Sequence, residues 1–308
     1  MWFFLALVGY LLLAAVFVLD KFILTKSVSK PVVYTFYSTI FMFAALFAWP
    51  FGVELLVGID WFWALVSGLG FGFGLWTMFI AVKQGEASHV NPFIGAVITV
   101  ATFVFASAFL GESLTSLQVV GMLVLAGSTF LLAFFNETGF IGFNKSYAWG
   151  ILAAVLFALS HTTAKYMYEL YPFLTGFVWT RATTGIVGLI TLAYPSVRAT
   201  FRRRPTKENA IKSCTDCGMN KGHAIAIVIS DKALGVVGVI LIQLAIALGS
   251  VTLVNALIGA QYALMFLIIY LLTKLAPRIF KETFSRSEIA MQTVAIVLVI
   301  IGSALFVL

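Results

Sequence analysis

Charge is scarce in this sequence. Asp, Glu, Lys and Arg together make up 10% of its 308 residues, against about 25% in a soluble domain. Apolar residues make up 62%, and the mean hydropathy is +1.07. A water-soluble fold needs a polar shell around its core, and the residues to build one are missing here. That excludes a soluble enzyme, a nucleic-acid-binding module and a disordered chain. The net charge of +7 does not bring nucleic acid back, because the basic residues are confined to particular loops. Two cysteines are too few for a disulfide scaffold. No phosphate loop, catalytic triad or nucleotide fingerprint is present, so neither a cofactor nor an enzymatic reaction is expected.

What is abundant is unbroken hydrophobic sequence. A bilayer core about 30 Å thick takes roughly 20 apolar residues per helix. Ten such runs occur, at 3–25, 31–50, 61–82, 92–110, 117–135, 147–168, 173–194, 233–249, 254–273 and 288–308. The eighth has an apolar extension back to about 225. The runs are solid rather than alternating, which excludes the strands of a membrane barrel. The first has no basic start and is too long for a signal peptide. The expected fold is therefore an all-α polytopic membrane protein of ten transmembrane helices. Only the connection 195–232 is long, and it carries Arg202, Arg203 and Arg204.

The loops differ in charge. The odd-numbered ones carry Lys26 and Lys30, Lys83, Lys145, eight basic residues between 195 and 232, and four between 274 and 287. The even-numbered loops (51–60, 111–116, 169–172 and 250–253) carry none, but hold Glu54, Asp60, Glu112 and Glu169. By the positive-inside rule the odd loops lie in the cytoplasm and both termini lie outside.

The chain also matches itself. Residues 81–96, AVKQGEASHVNPFIGA, agree with residues 245–260, AIALGSVTLVNALIGA, at seven of sixteen positions. These include Gly85/Gly249, Asn91/Asn255 and Gly95/Gly259. Downstream, Thr115-Ser116-Leu117-Gln118 and Ser285-Arg286-Ser287-Glu288 are both capping boxes. Each half, 1–140 and 141–308, then holds five helices. Five is odd, so the halves enter the membrane from opposite sides, as in many secondary transporters.

Ten helices in two such halves resemble the EamA-type branch of the drug/metabolite transporter superfamily. The resemblance rests on Gly111-Glu112, Leu114, Thr115, Gln118, Gly121 and Gly127, on Lys281-Glu282, Glu288 and Gly302 in the second half, and on Pro172 followed by Arg181. Half two departs at Lys281, where half one has Gly111, and in the insert around 205–222. The resemblance implies a secondary transporter, commonly an exporter of amino acids or other small metabolites. Its substrate would sit in a central cavity lined by spans one, three, four, six, eight and nine. An uncoupled uniporter or exchanger is the nearest alternative. An intramembrane enzyme would need facing catalytic groups that are not visible, and a scaffold or sensor would not need the repeat. The expected partners are a small-molecule substrate and the bilayer, with no nucleic acid.

Ionisable residues inside spans are costly and are functional candidates by default. His161 is the deepest, beside Ser160, Thr162 and Thr163, and an imidazole can change charge near neutral pH. With Asp20 it is the candidate for proton coupling. Lys21 and its repeat mate Lys165 present a cation from either side or snorkel to the interface. Arg181 lies near the middle of span seven, where an ion pair or a cavity role is expected. Asn91-Pro92 reads as an N-cap followed by proline at the first helical position, with Asn255 as its mate. Gly95-Ala96 and Gly259-Ala260 would let spans four and nine approach. Gln261 and Tyr262 stand where half one has Val97 and Ile98, and Gln243 stands opposite Phe79. These three break the repeat and are the asymmetric ligand candidates. Trp2, Trp49, Trp61, Trp63 and Trp149 mark the interfaces. Trp76 and Trp179 lie inside spans, where they stack a planar ligand or pack. Cys214, Cys217 and His223 offer at most three metal ligands where a closed zinc site takes four, so no metal is expected.

Overall fold

A computed structural model of the chain describes residues 1–24, 30–85, 87–136, 139–140, 145–202, 221–275 and 286–306. Among the described residues, seven helices are long and apolar enough to cross a membrane. Three shorter apolar helices, Trp2–Val18, Ala233–Leu248 and Ile289–Ala304, complete the set. The protein is an all-α polytopic membrane protein, with these ten helices on the ten hydrophobic runs. Its outward surface is apolar: Phe4, Phe47, Val104, Phe109, Leu123 and Ile300 are exposed, while many threonines and serines are inside. Several of those hydroxyls, such as Thr39, Thr99 and Thr163, donate to the carbonyl four residues back, which satisfies them without water.

The helices are α1 (Trp2–Leu24), α2 (Pro31–Ile40), α3 (Asp60–Gln84), α4 (Ala87–Phe105), α5 (Ser116–Phe134), α6 (Lys145–Leu170) and α7 (Phe173–Thr191). They continue with the short α8 (Pro195–Arg202), then α9 (Lys221–Leu248), α10 (Val251–Ala256), α11 (Ile258–Leu275) and α12 (Arg286–Ala304). A two-residue antiparallel pairing, Phe135–Asn136 with Gly139–Phe140, follows α5. α2 tightens into a 3-10 helix over Phe41–Phe51 and stops at Gly52, whose φ of 91° is left-handed. α4 ends in a π-helical stretch, Ala106–Leu110, closed by Gly111 at φ 65°. The capping box at Thr115 is formed. Its backbone N–H donates to Gln118 Oε1 at 3.1 Å, and Gln118 N–H donates to Thr115 Oγ1 at 3.3 Å. In the corresponding box Ser285 and the side chains of 286–288 lie outside what the structure describes.

Three boundaries differ from the sequence reading. α9 begins at Lys221, ahead of the run at 233. Asn91-Pro92 does not open a helix: α4 starts at Ala87 and Pro92 is its sixth residue. The polar stretch before the proline is helical because it continues into a packed span. Asn255 is not a cap either. Ser250 is the N-cap, accepting from Leu253 N–H at 2.9 Å, and Asn255 sits inside α10.

Two long seams dominate the packing, α3 against α6 and α1 against α9. α2 and its 3-10 extension lie on α7, α5 lies on α12, and α4 lies on α6, α10 and α11. The first seam is set by glycines that leave room for a neighbour. Gly70 faces the Leu156 carbonyl and Ser160, and Gly74 faces the Phe157 ring, both on α6. From the opposite side of α3, Gly68 and Gly72 face Thr183, Thr184 and Val187 of α7. α3 is therefore clasped between two helices by two pairs of small residues four apart.

Candidate functional site

The ninth run forms one 25-residue span, Val251–Leu275, interrupted at a single residue, Leu257, which keeps right-handed helical dihedrals. The interruption lies between α10 and α11, roughly 9 Å along from Val251 at 1.5 Å per residue. Leu257 N–H donates to Leu253 O at 3.3 Å and Val254 O at 3.2 Å, and carbonyls there also accept from side chains of neighbouring helices. The Tyr10 hydroxyl of α1 donates to Val254 O at 3.0 Å, and Thr99 of α4 donates to Asn255 O at 3.4 Å. The Asn255 side chain then joins two more helices. Its Oδ1 lies 3.0 Å from His161 Nδ1 on α6, and its Nδ2 donates to Thr102 Oγ1 on α4 at 3.1 Å. Phe157 and Phe71 flank the His161 ring, with centroids 6.4 and 6.3 Å away.

Arg181 is the largest fully buried side chain among the described residues, at 2% exposure. Its Nε, Nη1 and Nη2 have no hydrogen-bond partner among them. One face of the guanidinium lies 4.4 Å from the centroid of the Phe71 ring, and Phe177 is 5.9 Å away. The Tyr168 hydroxyl beside it donates to Gln243 Oε1 at 2.8 Å and keeps oxygen lone pairs that can accept from the guanidinium. The ion pair expected for Arg181 is not formed among the described residues.

A vestibule of about 440 Å³ lies on the face of the even loops, lined by residues that include Glu112, Lys165, Glu169 and Ser250, with Arg181 outside its lining. Lys165 Nζ donates to Ala247 O at 3.2 Å and pairs with Glu169 at 3.5 Å. His161 is one helical turn deeper than Lys165 on the same face of α6. The polar groups thus form a column, from Glu169 and Lys165 through Tyr168, Gln243 and Arg181 to His161, Asn255 and Thr102.

The structure brings His161, Asn255, Gln243 and Arg181 into that column, with Lys165 at its mouth. It places the other candidates elsewhere. Tyr262 packs with Leu132 and Ala295 and donates to Asn91 O at 2.9 Å, tying α11 to α4. Gln261 is buried beside it at 3% exposure. Asn91 Oδ1 is buried without a partner among the described residues. Gly95 faces Ile258 and Tyr262 of span nine as expected, while Gly259 instead faces Thr129 of α5. Trp76 lies between Phe73 and Tyr194.

Trp179 belongs to an aromatic group with Trp49 and Trp61, and its Nε1 donates to Glu54 O at 2.7 Å, pinning the second loop. In the α6–α7 turn, the Tyr171 hydroxyl donates to Asp60 Oδ2 at 2.6 Å and accepts from Val57 N–H at 3.0 Å. The bond to the Asp60 carboxylate keeps that hydroxyl protonated above the usual tyrosine range. The side chains of Asp20 and Lys21, like Cys214 and Cys217, lie outside what the structure describes, as does the side chain of His223. Among the described residues, no cluster of His, Cys, Asp or Glu could hold a metal.

The model of the EamA-like transporter family matches residues 1–134. Over those residues the chain is similar to that family. A solved structure described as "Crystal structure of protein" covers 99% of this chain and 95% of that one, with a TM-score of 0.66 at 18% identity. At that identity the likeness is one of fold. No curated protein matches the chain.

Tyr168, Thr102 and Phe71 escaped the sequence reading, as did the glycines of α3. The visible signal was Gly68, Gly70, Gly72 and Gly74, an alternating series in a span where glycine has no other reason to recur.

Proposed function

We propose that this protein moves a small organic solute across the cytoplasmic membrane by alternating access of two inverted five-helix halves, 1–140 and 141–308. The observation that carries the reading is the interruption at Leu257 between α10 and α11, beside His161, Asn255 and the unpartnered Arg181. Interrupted helices next to buried polar groups are where secondary transporters bind their substrates. The packing supports the repeat. The seams α3–α6 and α9–α1 exchange under it, and α2–α7, α5–α12 and α4–α10/α11 pair equivalents with one another. The direction we assign is export, as the family resemblance implies, and His161 with Asp20 remains the proposed route for any coupled proton. The decisive measurement is counterflow in proteoliposomes with labelled amino acids, organic acids, sugars and nucleobases. We expect at least one class to exchange tenfold faster than in empty liposomes. If none does, the protein is not a transporter of these solutes.

The orientation we assign places the odd loops in the cytoplasm and both termini outside. Val57→Cys and Ser113→Cys lie in even loops at exposed positions. Both should react with an impermeant maleimide on intact cells. Cys214 and Cys217 should react only after permeabilisation. The opposite pattern would reverse the assignment.

A further inference from the structure

The polar column contains one group whose chemistry is unfinished. A guanidinium has five N–H donors around its edge and none on its faces. Phe71 covers a face of Arg181, and the edge nitrogens find no acceptor among the described residues. A cation–π contact compensates only part of what a desolvated charge loses. A purely structural arginine at this depth would be expected to spend its donors on carbonyls or a carboxylate, as Lys165 does with Ala247 and Glu169. The Tyr168 hydroxyl, which donates to Gln243, lies outside hydrogen-bond geometry from the guanidinium, and even as an acceptor its oxygen would engage only part of the five-donor edge.

Resting on the transporter reading above, we infer that Arg181 is the receptor for the carboxylate of a small organic monoanion. A planar carboxylate matches the fork of donors at the guanidinium edge, which a neutral solute cannot engage equally. One charge fits better than two, because the other described cation of the column, Lys165, is already paired with Glu169. The described acidic side chains Glu54, Asp60, Glu112 and Glu169 all lie at or near the even-loop ends of their helices, so none of them stands beside Arg181 to receive an ammonium. The aromatic rings of Phe71, Phe177 and Phe157 supply an apolar wall for the body of the solute. The preferred class is therefore a monocarboxylate with an apolar body.

The test pairs each acid with its neutral amide, using benzoate against benzamide and butyrate against butyramide at matched ionic strength. The readout is the melting temperature of the purified full-length protein. We expect the wild type to be stabilised by the carboxylates and at least tenfold less sensitive to the amides and to succinate or phosphate. Arg181→Gln should raise the midpoint for benzoate at least thirtyfold. Without ligand it should melt at or above the wild type, because an uncompensated charge has been removed. Arg181→Lys keeps the charge and loses the fork, and should fall between the two.

Equal responses to acid and amide in the wild type overturn the inference, with no variant needed. So does an Arg181→Gln or Arg181→Lys protein with an unchanged benzoate midpoint, or tighter binding of the dianions. Failure of the transport reading looks different. In that case carboxylate binding would depend on Arg181 while no solute exchanges in proteoliposomes. Flux of neutral solutes alone, without carboxylate binding, sinks this inference and leaves transport standing.

Discussion

Gly68→Ala is expected to be the most damaging single methyl group in the protein. A Cβ at Gly68 would sit 2.5 Å from Thr184 N and 2.6 Å from Thr183 C, with the Thr183 hydroxyl also in its way. A flexible side chain can swing aside, but helix backbone cannot, so α3 and α7 must separate. Thr183 also donates to Ala64 O across the same seam at 2.8 Å, and that bond would be lost with it. Overpacking of a tight core typically costs about 1–3 kcal/mol, and backbone contacts put this substitution at or beyond the upper end. We expect loss of most folded protein in detergent and a melting temperature lowered by more than 10 °C. Gly127→Ala is the control. Nothing lies within 4 Å of its Cβ position, and better helix propensity should leave it neutral or slightly stabilising. Equal behaviour of the two variants would show that the α3–α7 seam is not close-packed.

The glycine seam also shows what could be read from sequence alone. The ten spans were legible because each is a long apolar run, and membrane insertion depends on little else. Gly68 and its three companions were equally visible, yet their partners were not. Which helix fills the space beside a glycine is decided by the packing of the whole bundle, not by the run that contains it. The same holds at Asn91 and Asn255. Their shared motif is real, but the N-cap assignment followed local propensity. In the bundle, α4 keeps helical geometry through Asn91, and Ser250 takes the capping role five residues ahead of Asn255. Arg181 stood out as a cation in mid-span, whereas its unfinished edge is a property of α3, α6 and α9 meeting around it. Gln261 and Tyr262 were singled out by broken symmetry. At Tyr262 the break serves a bond across helices.

The second large effect is expected at Asn255, where one side chain holds three helices together. Its amide links His161 on α6 to Thr102 on α4, next to the interruption, where carbonyls accept from Tyr10 and Thr99. Asn255→Leu keeps the approximate volume and removes both side-chain bonds. His161 and Thr102 are left to find partners in a dry interior, which costs about 1–3 kcal/mol per unsatisfied group. The melting temperature should fall, but the larger consequence is for transport. If α10 and α11 reposition against α4 and α6 as the halves rock, Asn255 sets the geometry of that motion. Solute flux per folded molecule should drop at least a hundredfold.

His161→Gln separates the two roles. A glutamine amide can still bond Asn255, so folding should be largely kept and flux lost only to the extent that the imidazole itself moves a proton. Its residual flux should then lose any dependence on an imposed pH gradient. Measuring flux and melting temperature on the same preparations decides the matter. An Asn255→Leu protein that is less stable yet transports normally per folded molecule would make this residue a structural tie and remove it from the site.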